Sequence, residues 1–137
     1  MSFGYQQQHV LEGTAARAAI LNLDARHNRL YSAGDRAQWL ATFKHSGATL
    51  TVGDQTYTKI WEAFDGGAGR LITVDHEIDV DGVNATQHCV AIRFDASGSV
   101  RAVGAYTDAL SYERGGWYYA NRTLLWDNAS SLSVLGS

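Results

Sequence analysis

Two runs rich in strand-forming residues, 100–112 and 117–126, are joined by Glu113-Arg114-Gly115-Gly116. A Gly-Gly connection between alternating segments signals a β-hairpin. Side chains alternate faces along a strand, so each arm sorts into two sets. In the first arm Ala102, Gly104, Tyr106, Asp108, Leu110 and Tyr112 share one face. In the second, Tyr118, Ala120, Arg122, Leu124 and Trp126 fall together. The faces with large apolar groups turn inward, and each carries one charge, Asp108 or Arg122. A charge taken out of water is costly unless paired. Two readings stand open: the charges neutralise each other as structure, or they face a cavity where charge is useful.

A chain of 137 residues holds one domain with one core. Its formal net charge of -3 gives no electrostatic reason to expect nucleic acid or an anionic membrane. One cysteine, Cys89, excludes an intrachain disulfide framework. No apolar run approaches the roughly 20 residues of a membrane span. The opening M-S-F-G-Y-Q-Q-Q-H lacks the layout of a signal peptide. The expectation is a cytoplasmic protein with no nucleic-acid or membrane partner.

Residues 1–14 read as a flexible polar lead-in, with Thr14 capping a helix over 15–33. Ile20, Leu23, His27, Leu30 and Tyr31 recur at helical spacing, so His27 interrupts an apolar stripe and Asp24 sits beside it. Gly34-Asp35 ends that helix and caps a second over 36–43. A short strand over 48–52 and a third short helix around Ile60, Trp61 and Phe64 follow. Everything after Gly69 reads as strand. Segment 71–80 sets Asp75, Glu77 and Asp79 against Val74, His76, Ile78 and Val80, and Asp81-Gly82 marks a hairpin. The return strand, 84–94, places His88, Val90, Ile92 and Phe94 on one face, with Cys89 off it. Residues 128–137 read as a flexible tail. Helices followed by an antiparallel meander make an α+β domain over 15–127. A long helix on a curved sheet leaves room for an open-ended cavity.

The order is a long helix, S-A-G-D, a helix ending in Phe, a short helix, I-D-V-D-G, and finally G-A-Y-T-D-x-L-x-Y-E-R-G-G-W-x-x-x-x-R. It resembles the SnoaL-like group of the nuclear transport factor two-like superfamily. The resemblance implies a cone-shaped α+β barrel, its N-terminal helices packed on a strongly curved, mostly antiparallel sheet around an internal pocket. That superfamily includes polyketide cyclases, ketosteroid isomerases, scytalone dehydratase and hexachlorocyclohexane dehydrochlorinase. Many run acid–base chemistry without a cofactor; others are non-catalytic subunits or binding modules. Pairing through the outer sheet face is common among them, which implies a homo-oligomer, a dimer or trimer.

Position by position, Asp108 matches a pocket acid of cyclases and isomerases, and Arg122 a pocket arginine of dehydrochlorinase-like members. His27 falls near the first-helix tyrosine that holds an oxyanion in isomerases. The Asp/His dyad of the dehydrochlorinase-like members would fall at Ser32 and within 69–72, and both positions are lost.

Each candidate has a functional and a structural reading. Asp108, raised in pKa by an apolar pocket, would serve as general acid or base; otherwise it pairs with Arg122. His27 would donate to an oxyanion or take a proton; otherwise it is a bonded core histidine. Asp24 would orient His27 or lie on the surface, the latter being favoured. His76 and His88, on apolar strand faces, would serve as a base or line a substrate site. With His27 they lack the tight spacing of metal ligands, so no metal is expected. Arg122 and Tyr106 would hold a substrate oxygen, and Tyr118 would line the pocket.

The favoured expectation is a cofactor-independent isomerase, dehydratase or cyclase. Its substrate would be a hydrophobic, oxygenated, cyclic molecule, with Asp108 and His27 as the acid–base pair. The alternative is a non-catalytic binding or assembly protein of the same fold.

Overall fold

The computed structural model describes residues 2–127, with side chains described from residue 12 onward. The expected tail at 128–137 lies outside the described residues. The elements are α1 (Ser2–Ala33), α2 (Arg36–Leu40), β1 (Thr49–Val52), β2 (Gln55–Tyr57), a 3-10 helix (Ile60–Ala63), β3 (Arg70–Asp81), β4 (Asn84–Phe94), β5 (Val100–Glu113) and β6 (Gly116–Trp126).

Helix α1 begins at Ser2, so Thr14 lies inside it rather than capping it. Its end is the expected one. Gly34 adopts φ 77°, and Asp35 N–H donates back to Leu30 O at 3.0 Å, a left-handed glycine stop. Asp35 then caps α2, its Oδ1 accepting from Gln38 N–H at 3.1 Å.

The sheet has six strands in the order β2-β1-β6-β5-β4-β3. Strands β3 to β6 form the expected meander. The addition is β1, which runs parallel to β6, with β2 hairpinned onto it.

Two bulges set which side chains face inward. Between Val74 and Glu77, β3 holds two residues, Asp75 and His76, while β4 holds only Cys89 between the partners of those ends. Asp75 there takes φ 56°, uncommon for a residue other than glycine. Inward parity therefore changes from Leu71 and Thr73 to His76, Ile78 and Val80. On β6, Ala120 is the extra residue, because Leu110 pairs with Tyr119 and Ala109 with Asn121. Trp117 and Tyr119 face inward before it, Arg122 and Leu124 after it.

Helix α1 covers the inner face with Ala16, Ile20, Leu23 and Leu30, packed with Trp39, Phe43, Leu110, Trp117 and Tyr119. A second apolar cluster joins Leu71, Cys89, Ala91, Tyr106 and Leu124. Burying one large apolar side chain contributes about 1.5–3 kcal/mol. These clusters hold α1 against the sheet and so fix its polar residues in place.

Candidate functional site

The interior also holds polar side chains. Asp24, His27, Asn28, Thr42, Gln87, Asp108 and Arg122 are all buried. Burial of this kind is sustained only by partners, and Gln87 supplies several. Its Nε2 donates to Asp24 Oδ1 at 3.0 Å and to Asp108 Oδ2 at 2.9 Å. Its Oε1 lies 2.9 Å from His76 Nδ1. An amide oxygen only accepts, so Nδ1 carries a proton, and the Thr73 backbone is a further partner of the ring. His76 Nδ1 also stands 3.2 Å from Asp24 Oδ2. Tyr119 OH donates to Asp24 Oδ1 at 2.5 Å. Arg122 Nε donates to Asp108 Oδ1 at 3.0 Å. Residues from β3, α1, β4, β5 and β6 thus form one line of contacts, from His76 at the surface to Arg122 inside.

The electrostatics follow from those contacts. Hydrogen bonding to Asp24 raises the His76 pKa above its ordinary 6.5, against the opposing effect of partial burial. Burial pushes the Asp108 carboxyl up, and Arg122 opposes that. Burial pushes the Tyr106 phenol up to about 12 and the Cys89 thiol to about 12. Arg122 stays charged, its pKa raised chiefly by Asp108 against the effect of burial. Its guanidinium lies 3.5 Å from the Tyr106 ring centroid and 4.1 Å from that of Tyr119.

His27 is placed differently. Trp39 Nε1–H donates to its Nε2 at 3.1 Å. Nδ1 therefore carries the proton and donates to Thr42 Oγ1 at 2.8 Å. Thr42 in turn donates to Trp39 O at 2.6 Å. The ring packs against Trp39, Phe43 and Tyr119, with centroids 5.1–5.6 Å away. Burial first, and Arg122 second, hold its pKa well below 6.5, so the imidazole is neutral.

Several expected placements are corrected. Asp24 is 2 % exposed rather than a surface carboxylate, and its histidine neighbour is His76, not His27. His88 points outward and is exposed, because β4 turns Ala85, Gln87, Cys89 and Ala91 inward. Of these, Cys89 and Ala91 pack with Leu71, Tyr106 and Leu124, whereas Val90, Ile92 and Phe94 lie on the other parity. Cys89 is accordingly inside. Tyr118 faces outward and Tyr119 inward, because of the bulge at Ala120. Asp108, Arg122 and Tyr106 lie on the inward faces assigned to them, and Asp108 and Arg122 pair at 3.0 Å, which is the structural one of the two open readings. Gln87, Tyr119, Thr42 and Asn28 had not been singled out. A buried polar residue amid the small side chains of β4 was the available signal for Gln87. Among the described residues, no three His, Cys, Asp or Glu side chains gather as metal ligands would.

Two cavities flank this line. A groove of about 680 Å³ between α1 and β3 is lined by Asp24, Asn28, Arg29, Thr73, His76 and Leu71, among others. An inner chamber of about 160 Å³ is lined by Arg122, Tyr106, Trp39, Tyr57, Trp126 and Leu71, among others. At the chamber wall Tyr31 OH donates to Asp65, and Arg93 Nη1 pairs with Asp65 Oδ2 at 3.0 Å.

Residues 12–123 match the SnoaL-like domain family model. The chain belongs to this family. No functionally curated protein matches the sequence. Among solved structures, a nuclear transport factor two-like protein with a cystatin-like fold from Novosphingobium aromaticivorans superposes with a TM-score of 0.76 at 21% identity, covering 98% of this chain and 96% of its own. A protein of unknown function from Mycobacterium tuberculosis gives 0.73 at 25% identity, covering 83% and 77%. A scytalone dehydratase-like protein from Novosphingobium aromaticivorans gives 0.74 at 14%, covering 90% and 89%. In this chain Asp24 and His76 stand 3.2 Å apart, while Ser32 and residues 69–72, where the resemblance sets the dyad of the dehydrochlorinase-like members, hold no aspartate or histidine. No helix among the described residues is long and apolar enough to cross a membrane.

Proposed function

We propose that this SnoaL-like protein is a cofactor-independent acid–base enzyme, an isomerase, dehydratase or cyclase. Its substrate is a hydrophobic, oxygenated cyclic molecule that reacts through an enolate-like intermediate. The observation that carries this reading is His76 on the groove wall, with Nδ1 hydrogen-bonded to Gln87 Oε1 and 3.2 Å from Asp24 Oδ2. A base oriented through its far nitrogen by a carboxylate is the general arrangement for proton abstraction. His76 Nε2 takes the proton from the carbon next to a carbonyl. Asp24 stabilises the imidazolium that results. Thr73, whose oxygen accepts from Asn28 Nδ2 at 2.8 Å, carries its own O–H donor on the same groove wall for the developing enolate. Return of the proton at a different atom, loss of hydroxide as water, or ring closure completes the reaction.

In this reading Asp108 and His27 position rather than react. Asp108 anchors Gln87, and His27 is engaged at both nitrogens.

The test is exchange of α-protons in deuterated water, followed by proton NMR over cyclic ketones such as cyclohex-2-enone and 1-tetralone. Protein-dependent exchange is expected in the native chain, falling by at least about 100-fold in His76→Gln and Asp24→Asn. Exchange that persists in His76→Gln, or none with any ketone, returns the protein to the second reading. That reading is a non-catalytic binding or assembly protein, and the Asp108–Arg122 pair packed in the interior favours it.

A further inference from the structure

A third cavity, of about 510 Å³, is bounded by α2, the segment 43–48, the 3-10 helix and the turn between β5 and β6. It shares no lining residue with the groove at His76 or with the inner chamber. Leu40, Phe43, Ala48 and Ile60 make its apolar part. Lys44, His45 and Arg114 also line it, together with one carboxylate, Glu113. Among the described residues none of these four side chains takes part in an ion pair or a hydrogen bond. Arg93, in contrast, is spent on Asp65. Trp61 completes the wall and is 45 % exposed, unusually open for an indole.

Backbone geometry fixes where the two permanent cations stand. Lys44 N–H donates to Tyr119 O at 2.7 Å, and Tyr119 N–H donates to Thr42 O at 3.1 Å, so the segment carrying Lys44 is fastened to β6. Arg114 is set by the hairpin turn. It takes φ 52° and Gly115 takes φ 77°, the left-handed pair of a type I′ turn. Asparagine, aspartate or glycine suits the first of these positions, because a left-handed backbone crowds a larger residue's Cβ against the following carbonyl. The turn by itself gives no reason for an arginine. Conformations of this kind gather where a side chain is used.

The donor set selects the ligand. Lysine meets a phosphate as a point charge and arginine as a fork, and His45 adds a further ring N–H. An exposed indole offers a flat face to an aromatic ring. A cavity of about 150 Å³ takes up benzene, so one of about 510 Å³ has room for a ring and a phosphate together.

We propose that this cavity binds an aryl phosphate monoester, its phosphate held by Lys44 and Arg114 and its ring by Trp61. The site is separate from proton transfer at His76 and does not rest on it.

Isothermal titration calorimetry with 1-naphthyl phosphate, 1-naphthol and inorganic phosphate tests the site. The ester is expected to bind at least about tenfold more tightly than either of its parts. Arg114→Asn is the deciding variant, because asparagine suits the left-handed turn and leaves the hairpin intact. It should weaken 1-naphthyl phosphate at least about tenfold, while the melting temperature stays native or rises. Lys44→Gln should weaken it likewise, and Trp61→Ala should erase its advantage over inorganic phosphate. His76→Gln should bind it unchanged. An ester bound no more tightly than inorganic phosphate, or bound equally well by Arg114→Asn and Lys44→Gln, overturns the proposal. Binding lost in His76→Gln overturns it too, since the anion would then occupy the other groove.

Discussion

At the scale of single residues, the interior depends on polar groups that hold one another. Thr42 shows it most simply. Its hydroxyl accepts from His27 and donates to Trp39 O. Replacing it with valine keeps the shape and removes the acceptor. The His27 Nδ1–H is then buried without a partner, which costs about 1–3 kcal/mol. Thr42→Val is expected to lower the urea midpoint accordingly, with an unchanged m-value. His27 was legible in the sequence as the polar member of an apolar helical stripe. Its role was not, because Trp39 and Thr42 reach it only after α2 folds back onto α1. Asp24 was legible as a carboxylate beside that stripe, yet its true neighbours, Gln87 and Tyr119, lie 63 and 95 residues further along the chain.

At the scale of elements, two inserted residues decide the site. Alternation read from one end of β5 sorted Tyr106, Asp108 and Leu110 correctly, because β5 keeps one inward parity over that stretch. The same reading held on β6 for Arg122 and Leu124 and failed before Ala120, where Tyr119 rather than Tyr118 is inside, and on β4 it followed the larger apolar residues to the outer face. Bulges leave little trace in composition, since Ala120 and Asp75 are ordinary residues in strand-like runs. Their effect is large: one puts Tyr119 against Asp24, the other brings His76 to Gln87. Deletion of Ala120 restores strict pairing with β5. Trp117 and Tyr119 then move to the outer parity, or Arg122 and Leu124 do. The expected outcome is a tryptophan emission maximum shifted to the red and loss of a cooperative melt. A native spectrum would show that the sheet tolerates either register. The α+β architecture and the meander were readable from hairpin turns and helical periodicity. Strand β1 was anticipated only as an isolated strand, since a parallel pairing with β6 leaves no local turn signal.

At the scale of the whole molecule, stability and pH are coupled through two histidines of opposite sign. The folded His76 pKa is raised above 6.5. Its contribution is therefore complete below pH 6.5 and fades as pH rises through the folded value. His27 is held neutral, so it disfavours the fold as pH falls below 6.5. Urea unfolding from about pH 5.5 to about pH 8.5 should show the native chain's advantage over His76→Gln shrinking toward the alkaline end. A gap that stays constant with pH would mean that the contact with Asp24 is not ionic. The two histidines also define where protons enter the fold: one is sealed in, the other is at the groove.

Leu71 belongs to both cavity walls. Groove and chamber thus meet at one shared aliphatic side chain. Trimming it is expected to enlarge both compartments and to narrow the wall between His76 and Arg122. A lineage built on this fold could therefore trade small ligands for long ones through a change at one codon, leaving the polar line behind it untouched.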